Sequence, residues 1–181
     1  MKPYTTPRKL LADVDRVLAS RPNPRKSALD TVLEALYKGR HYFWIGLYLS
    51  TGERLERHGF RGPQPKEDGW CRSIGFNEGN VGTVGARGTT KLVSDVSADA
   101  VYRKCLDETQ SELTVPIKIG VHVLGVINVE NDRRNALGNE DRVLIEQVAA
   151  RVARYLESSG RYLLRRVREA TALSHARGAG S

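Results

Sequence analysis

The chain is short of the features that would place it in a specialised class. Its 181 residues hold two cysteines, Cys71 and Cys105, too few for a disulfide-built scaffold. They read either as plain core thiols or as a working redox pair. No zinc-ligand spacing occurs, and the four histidines, His41, His58, His122 and His175, are scattered, so no metal is expected. No apolar run approaches the ~20 residues of a membrane span. The opening stretch, MKPYTTPRKLLADVDRVL, lacks the uninterrupted apolar core of a secretory signal. A cytoplasmic protein without a membrane partner is therefore the expectation. Glycines recur at Gly79, Gly82, Gly85 and Gly88, but neither a GxGxxG spacing nor a following Lys-Ser/Thr accompanies them. Close packing of a short helix on a sheet explains them better than a phosphate cradle.

A net charge of +8 raises the question of nucleic acid. Much of the excess falls on the C-terminal segment, at Arg151, Arg154, Arg161, Arg165, Arg166 and Arg168. No helix-turn-helix pattern and no basic run interleaved with aromatics goes with it. A solvated helix face is the expected reading, with no nucleic-acid partner.

What is present is organised around SELTVPIKIGVHVLGVINVE, residues 111–130. Leu113, Val115 and Ile117 alternate with Thr114, Pro116 and Lys118. Val121, Val123, Gly125, Ile127 and Val129 repeat the period of two after a turn near Gly120. Pro116 lacks a ladder donor, which predicts an edge position or a departure from the ladder there. Gly125 predicts a close approach to the backbone. Polar groups gather at the strand ends, Ser111 and Glu112 at one and Asn128, Glu130 and Asn131 at the other, so the hairpin reads as one wall of a pocket.

The remaining segments show the same two periods. Residues 8–19 predict an amphipathic helix carrying Leu10, Leu11, Val14, Val17 and Leu18, broken at Arg21-Pro22-Asn23-Pro24. A second helix is expected over 25–38, with Gly39 as its left-handed stop. Residues 42–49, YFWIGLYL, read as a central strand, with Tyr42, Trp44, Gly46 and Tyr48 on one face. Weaker strands are expected around 54–60, 70–76 and 91–93, and a short helix over 81–86. Either Asp95 or Asp99 can cap the segment after it, and 100–109 form a short helix or an irregular lid. Asn139 is placed to cap a helix over 140–157. That helix need not end at Gly160, with 161–174 continuing its apolar seam as a free face suited to pairing two copies. The tail from His175 is expected to fray.

The GNVGTVGARG, KLVSDVSADAVY, SELTVPI and VLGVINVEND segments, with the helix opening GNEDRVLIEQVAARVA, together resemble a GAF domain over residues 25–157. The resemblance implies an α+β fold: a central antiparallel sheet with long helices on one face and, on the other, a ligand pocket under short helices and loops. Residues 1–24 then form an N-terminal helix and linker, and 158–181 a C-terminal helical extension. It implies a small-molecule ligand and a homodimer through the terminal helices. Leu106 after Cys105 is not the histidine expected for bilin attachment, His122 is expected to face solvent rather than a haem, and no cofactor is implied.

Within that family the chain is also similar to the free methionine-(R)-sulfoxide reductases. Trp44 and Tyr48 match their aromatic box, Cys105 their nucleophile, Glu112 seven residues on their substrate-binding glutamate, and Cys71 a resolving cysteine. By that resemblance Cys105 attacks the sulfoxide, Cys71 condenses with the sulfenic acid to a disulfide, and thioredoxin reduces it. Glu112 and Glu130 would hold the substrate ammonium. Three features depart from that pattern. Val81 occupies the place of a further cysteine, Asn128 and Glu130 replace two aspartates, and the loop GPQPKEDGWC differs. The expectation is a stand-alone sensory or regulatory domain that binds a small ligand through Trp44, Tyr48, Glu112, Asn128 and Glu130. The reductase, with Cys105 and Cys71 as its catalytic pair, is the alternative, and a dimerisation module without ligand the third.

Overall fold

A computed structural model describes residues 4–20, 27–66 and 71–178, with side chains described through residue 160. The elements follow in the order α1 (Pro7–Ala19), α2 (Ala28–Arg40), β1 (Trp44–Ser50), β2 (Arg54–Arg61), β3 (Ser73–Gly75), α3 (Gly79–Arg87), β4 (Lys91–Val93), β5 (Ser111–Ile119), β6 (His122–Asn131) and α4 (Asn139–Gly178). One six-stranded antiparallel sheet has the order β3-β2-β1-β6-β5-β4. β1 and β6 are its centre, which is why both are apolar on the side away from the site as well as buried towards it.

Alternation along the strands sorts the side chains. Ile45 and Leu47 of β1, Leu113, Val115 and Ile117 of β5, and Ile127 and Val129 of β6 join one apolar core with Leu10, Val14, Leu33, Leu36, Ile145 and Val152 of the helices. Each such fully buried side chain contributes roughly 1.5–3 kcal/mol. α2 starts where Ser27 accepts the Asp30 N–H through its hydroxyl, the expected N-cap chemistry. β4 pairs only with Glu112–Thr114, so β5 is an edge by the time the chain reaches Pro116, as its missing donor required. A Cβ at Gly125 would strike the Tyr48 carbonyl oxygen, and one at Gly82 the Gly75 carbonyl oxygen. The glycines of α3 therefore let a short helix lie on the backbone.

Several expectations need correction. Gly39 does not stop α2. The left-handed residue is His41, φ 56°, and Gly39 instead makes room for Leu10 of α1. Tyr42 precedes β1 and turns to the helix side, where its hydroxyl donates to Asp141 at 3.0 Å. A bulge between Ile117 and Lys118 ends the alternation of the hairpin, and Val121 at its tip is 88% exposed. Asn139 Oδ1 takes the Arg142 guanidinium, while the Gly138 N–H at the helix start goes to Asp141. α4 continues through Gly160 and takes in residues 175–178, ending at Gly178. Of the two alternatives for 100–109, the irregular lid is the one observed, and the irregular stretch runs over 99–110. The Pro-rich break at 21–24, the first residues of the expected second helix and Trp70 lie outside the described residues. Among the described residues no helix is long and apolar enough to cross a membrane.

Candidate active site

The face of the sheet opposite α1, α2 and α4 is where the polar residues of β5 and β6 point. Register sets the arrangement. Glu112 lies opposite Glu130 and Thr114 opposite Asn128, while Trp44 and Gly46 of β1 flank Glu130 and Asn128 on the far side. Two residues along each strand return to the same face, so two carboxylates, an amide and a hydroxyl form a square on one surface. All four residues are buried.

Burial obliges these groups to find partners. Thr114 Oγ1 donates to Asn128 Oδ1 at 2.8 Å, and Asn128 Nδ2 donates to Glu130 Oε1 at 3.1 Å. Thr109, at the end of the lid, donates its hydroxyl to the other Glu130 oxygen. Glu112 Oε2 accepts from Asn80 Nδ2 at 2.5 Å. Burial pushes the Glu112 carboxyl up to about 7 against the Asn80 hydrogen bond. Burial and then the neighbouring Glu112 charge push Glu130 up to about 8. Two carboxyl groups this close do not both ionise cheaply, so near neutral pH the pair keeps a proton. Burial likewise holds the Tyr48 phenol neutral, its pKa raised above the ordinary value.

The two cysteines meet over this surface. Cys71 precedes β3, Cys105 sits in the lid, and they form a disulfide with Cα atoms 5.8 Å apart, inside the range a disulfide permits. Backbone contacts hold both ends: Tyr48 Oη donates to the Cys71 carbonyl at 3.2 Å, and the Lys66 N–H to the Cys105 carbonyl at 3.0 Å. Cys71 is fully buried. Cys105 lines a small cavity together with Tyr48, Asn80, Glu112, Asn128 and Glu130. Its volume is about 20 Å³, room for one water molecule in this disulfide-closed form. Larger surface hollows of about 510 Å³ beside Pro116 and Arg142 and about 490 Å³ beside Arg57 and Arg72 lack the thiol pair and the paired buried carboxylates.

Six of the seven residues singled out from the sequence, Cys71, Cys105, Tyr48, Glu112, Asn128 and Glu130, are thus brought together. Trp44 lies behind them in an apolar cluster with Tyr48, Leu55 and Leu106, stacked on Phe60 at 5.9 Å, and does not line the cavity. Sequence reasoning missed Asn80, Lys91, Asp99, Thr109 and Thr114. Lys91 Nζ donates to Asn80 Oδ1 at 2.7 Å and pairs with Asp99 at 2.7 Å, and Asn80 Nδ2 reaches Asp99 at 2.9 Å. The available signal was Asn80 itself, a polar residue among the glycines and valines that open α3.

The arrangement has relatives. The profile of the GAF domain family matches residues 24–156. "GAF domain-containing protein A" of Dictyostelium discoideum is 27% identical over 140 residues, covering 77% of this chain and 85% of that protein. The free methionine-R-sulfoxide reductase of Neisseria meningitidis, solved in complex with its substrate, superposes with a TM-score of 0.78 at 23% identity, over 90% of this chain and 99% of that one. The GAF domain of a phosphoenolpyruvate-protein phosphotransferase from Coxiella burnetii superposes with a TM-score of 0.74 at 18% identity, over 87% and 96%. At these identities the likeness of the two solved structures is one of fold.

Proposed function

This chain belongs to the GAF domain family; from that premise we propose that its pocket takes a small amino-bearing sulfoxide and that the chain reduces it. The substrate class is that of free methionine-R-sulfoxide, the substrate named for the Neisseria relative. One observation carries the reading: Cys105 lines the same cavity as Glu112, Asn128 and Glu130 and is bonded to Cys71. A bonded thiol pair beside two buried carboxyl groups with raised pKa values supports a chemical role for this pocket.

The Cys105 thiolate attacks the sulfoxide sulfur, the S–O bond breaks, and the oxygen ends on Cys105 as a sulfenic acid while the thioether leaves. A protonated Glu130 donates to the sulfoxide oxygen, and an ionised Glu112 holds the substrate ammonium. Cys71 then displaces the sulfenic oxygen as water and forms the disulfide. An external dithiol of the thioredoxin class returns two electrons and two protons. With the disulfide made, the cavity has no space for an amino acid, so substrate enters the reduced form. The test is NADPH consumption with thioredoxin, its reductase and free methionine-(R)-sulfoxide. Turnover is expected, is lost in Cys105→Ser, and falls to a single turnover in Cys71→Ser. No methionine formed even in a single turnover of the dithiothreitol-reduced chain overturns the reading.

A second reading rests on Asn128, which gives the square one carboxylate fewer than two aspartates would. In it the chain is a sensory domain whose pocket is opened by reduction of the same disulfide, with two copies paired through the forty-residue α4. It predicts a ligand-induced thermal shift of the reduced chain only, with no thioether released.

A further inference from the structure

Glu112 touches a second set of charges that the reduction steps leave unused. Asn80 stands between two carboxylates and gives one amide hydrogen to each, Glu112 at 2.5 Å and Asp99 at 2.9 Å. Its oxygen accepts from Lys91 Nζ at 2.7 Å, and the same ammonium pairs with both Asp99 oxygens, at 2.7 and 3.0 Å. Both amide hydrogens and the amide oxygen of Asn80 are therefore used, in a residue only 3% exposed. The three residues come from α3, β4 and the first residue of the lid. Asp99 also accepts the Val101 N–H at 3.1 Å, so the carboxylate that meets Asn80 also fixes the turn into the lid. Its own pKa is lowered, the Lys91 and Asn80 hydrogen bonds outweighing burial.

The charges facing Glu112 can be named element by element. β6 presents Glu130, the start of the lid Asp99, and the residue before α3 Glu78; β4 presents Lys91. The lid also brings Arg103 and Tyr102, and β1 brings Tyr48. Asp99 and Glu130 oppose a charge on Glu112. Lys91 offsets Asp99 directly and reaches Glu112 through the Asn80 amide.

We infer that Asn80, Lys91 and Asp99 are positioning residues: the Asn80 amide and the Lys91 ammonium behind it favour the charged form of Glu112 for a cationic ligand group, while Asp99 holds that ammonium in place and ties the start of the lid to it. The inference rests on the proposed role of Glu112 in holding an ammonium. It also gives the pocket a division of labour. Glu112 has a cation one amide away and carries the charge; Glu130, whose partners among the described residues are a hydroxyl and an amide, carries the proton. A ligand with one positive charge and one hydrogen-bond acceptor fits that pair; a dication does not.

The test reads Glu112 itself, independently of turnover. The oxidised full chain, labelled with carboxyl-¹³C glutamate, is titrated by NMR, with the Glu112 signal assigned through Glu112→Gln. Lys91→Met leaves Asp99 uncompensated, and the Glu112 midpoint is expected to rise by about one pH unit. Asp99→Asn leaves Lys91 uncompensated, and the midpoint is expected to fall by a similar amount. Lys91→Arg restores the wild-type value. A triad that packs the lid without electrostatic reach to Glu112 moves its midpoint in neither variant. Equal shifts of the same sign in the two variants, or no shift in either, overturn the inference. Opposite shifts in a chain that forms no methionine would leave the triad standing and remove the reductase reading. Reductase activity without these shifts would do the reverse.

Discussion

On the helix side of the sheet, Ile45, Leu47, Leu113, Val115, Ile127 and Val129 are 0–1% exposed and join the apolar core under α1, α2 and α4. On the other side of the same three strands, Glu112, Thr114, Asn128 and Glu130 are nearly as deeply buried, at 0–4%. The first side gains free energy from every atom removed from water. The second loses it unless each polar atom is partnered. One side therefore specifies and stabilises the fold, and the other stores unfavourable burial where a ligand can relieve it. The disulfide and the lid lie only on the second side, above groups that gain most from a charged or hydrogen-bonding guest.

Two adjacent residues of β5 break that comparison most sharply. Leu113→Ala is expected to cost about 2–5 kcal/mol of stability, as a large-to-small change in a packed core does. It should leave the thiol chemistry of the reduced chain unaltered below its denaturation range. Thr114→Val keeps the volume but leaves Asn128 Oδ1 without its donor, and is expected to cost about 1–3 kcal/mol. Urea denaturation of the oxidised chain measures both. A larger loss at Thr114 than at Leu113 would mean that the pocket side carries the fold, and the distinction would fail.

The pH dependence of stability comes next in size. Glu112 and Glu130 have carboxyl pKa values raised in the fold, to about 7 and about 8, above an unfolded value near 4.5. The folded chain binds more protons than the unfolded chain between those limits. The stability linked to this pair is therefore fully present below about pH 4.5 and is lost as pH rises towards 8. A fall of at least about 2 kcal/mol between about pH 5 and pH 8 is expected, and Glu130→Gln should remove more than half of it. Glu34, held down to about 2 by hydrogen bonds from Lys38 and Arg61, has the opposite sign. Its contribution is present above about 4.5 and is lost only as pH falls towards 2, so it does not enter the window. Stability that is flat or rising from pH 5 to 8 would show that the two carboxyl groups are not stored at a cost.

How much of this was legible beforehand depends on the range of the interactions. The order of helices and strands was readable because period is local. Leu10, Val14 and Leu18 on one stripe, or Leu113, Val115 and Ile117 in alternation, need no partner to be recognised. The edge at Pro116 and the close approach at Gly125 were readable because a missing donor or side chain constrains what stands opposite. Glu112, Asn128 and Glu130 were found because they close the ends of two consecutive strands. The Asn80–Lys91–Asp99 set was not, since α3, β4 and the lid meet through side-chain contacts between segments whose relative placement no local period shows. The stop of α2 was misread for a similar reason. Gly39 answers to Leu10 of another helix, and a turn residue such as His41 takes the left-handed position instead.

The smallest expected effect sharpens the comparison at its border, where the helix side has a polar cluster of its own. Tyr42 Oη donates to Asp141 Oδ1 at 3.0 Å, and Arg40 reaches the same oxygen through Nε at 3.2 Å and Nη2 at 2.9 Å. The other Asp141 oxygen accepts the Gly138 N–H at 3.2 Å. Burial, and then the Asp141 charge, raise the Tyr42 pKa, so the phenol stays a donor throughout the useful pH range. Tyr42→Phe removes one of several donors and leaves no group unpaired. A loss of about 1 kcal/mol is expected in urea denaturation, with no change in its pH dependence between about 5 and 8. The same deletion of one hydroxyl at Thr114 leaves an amide oxygen stranded and should cost more. A Tyr42→Phe loss equal to or above that of Thr114→Val would mean that neither the redundancy of donors nor the side of the sheet governs what a buried hydroxyl is worth here.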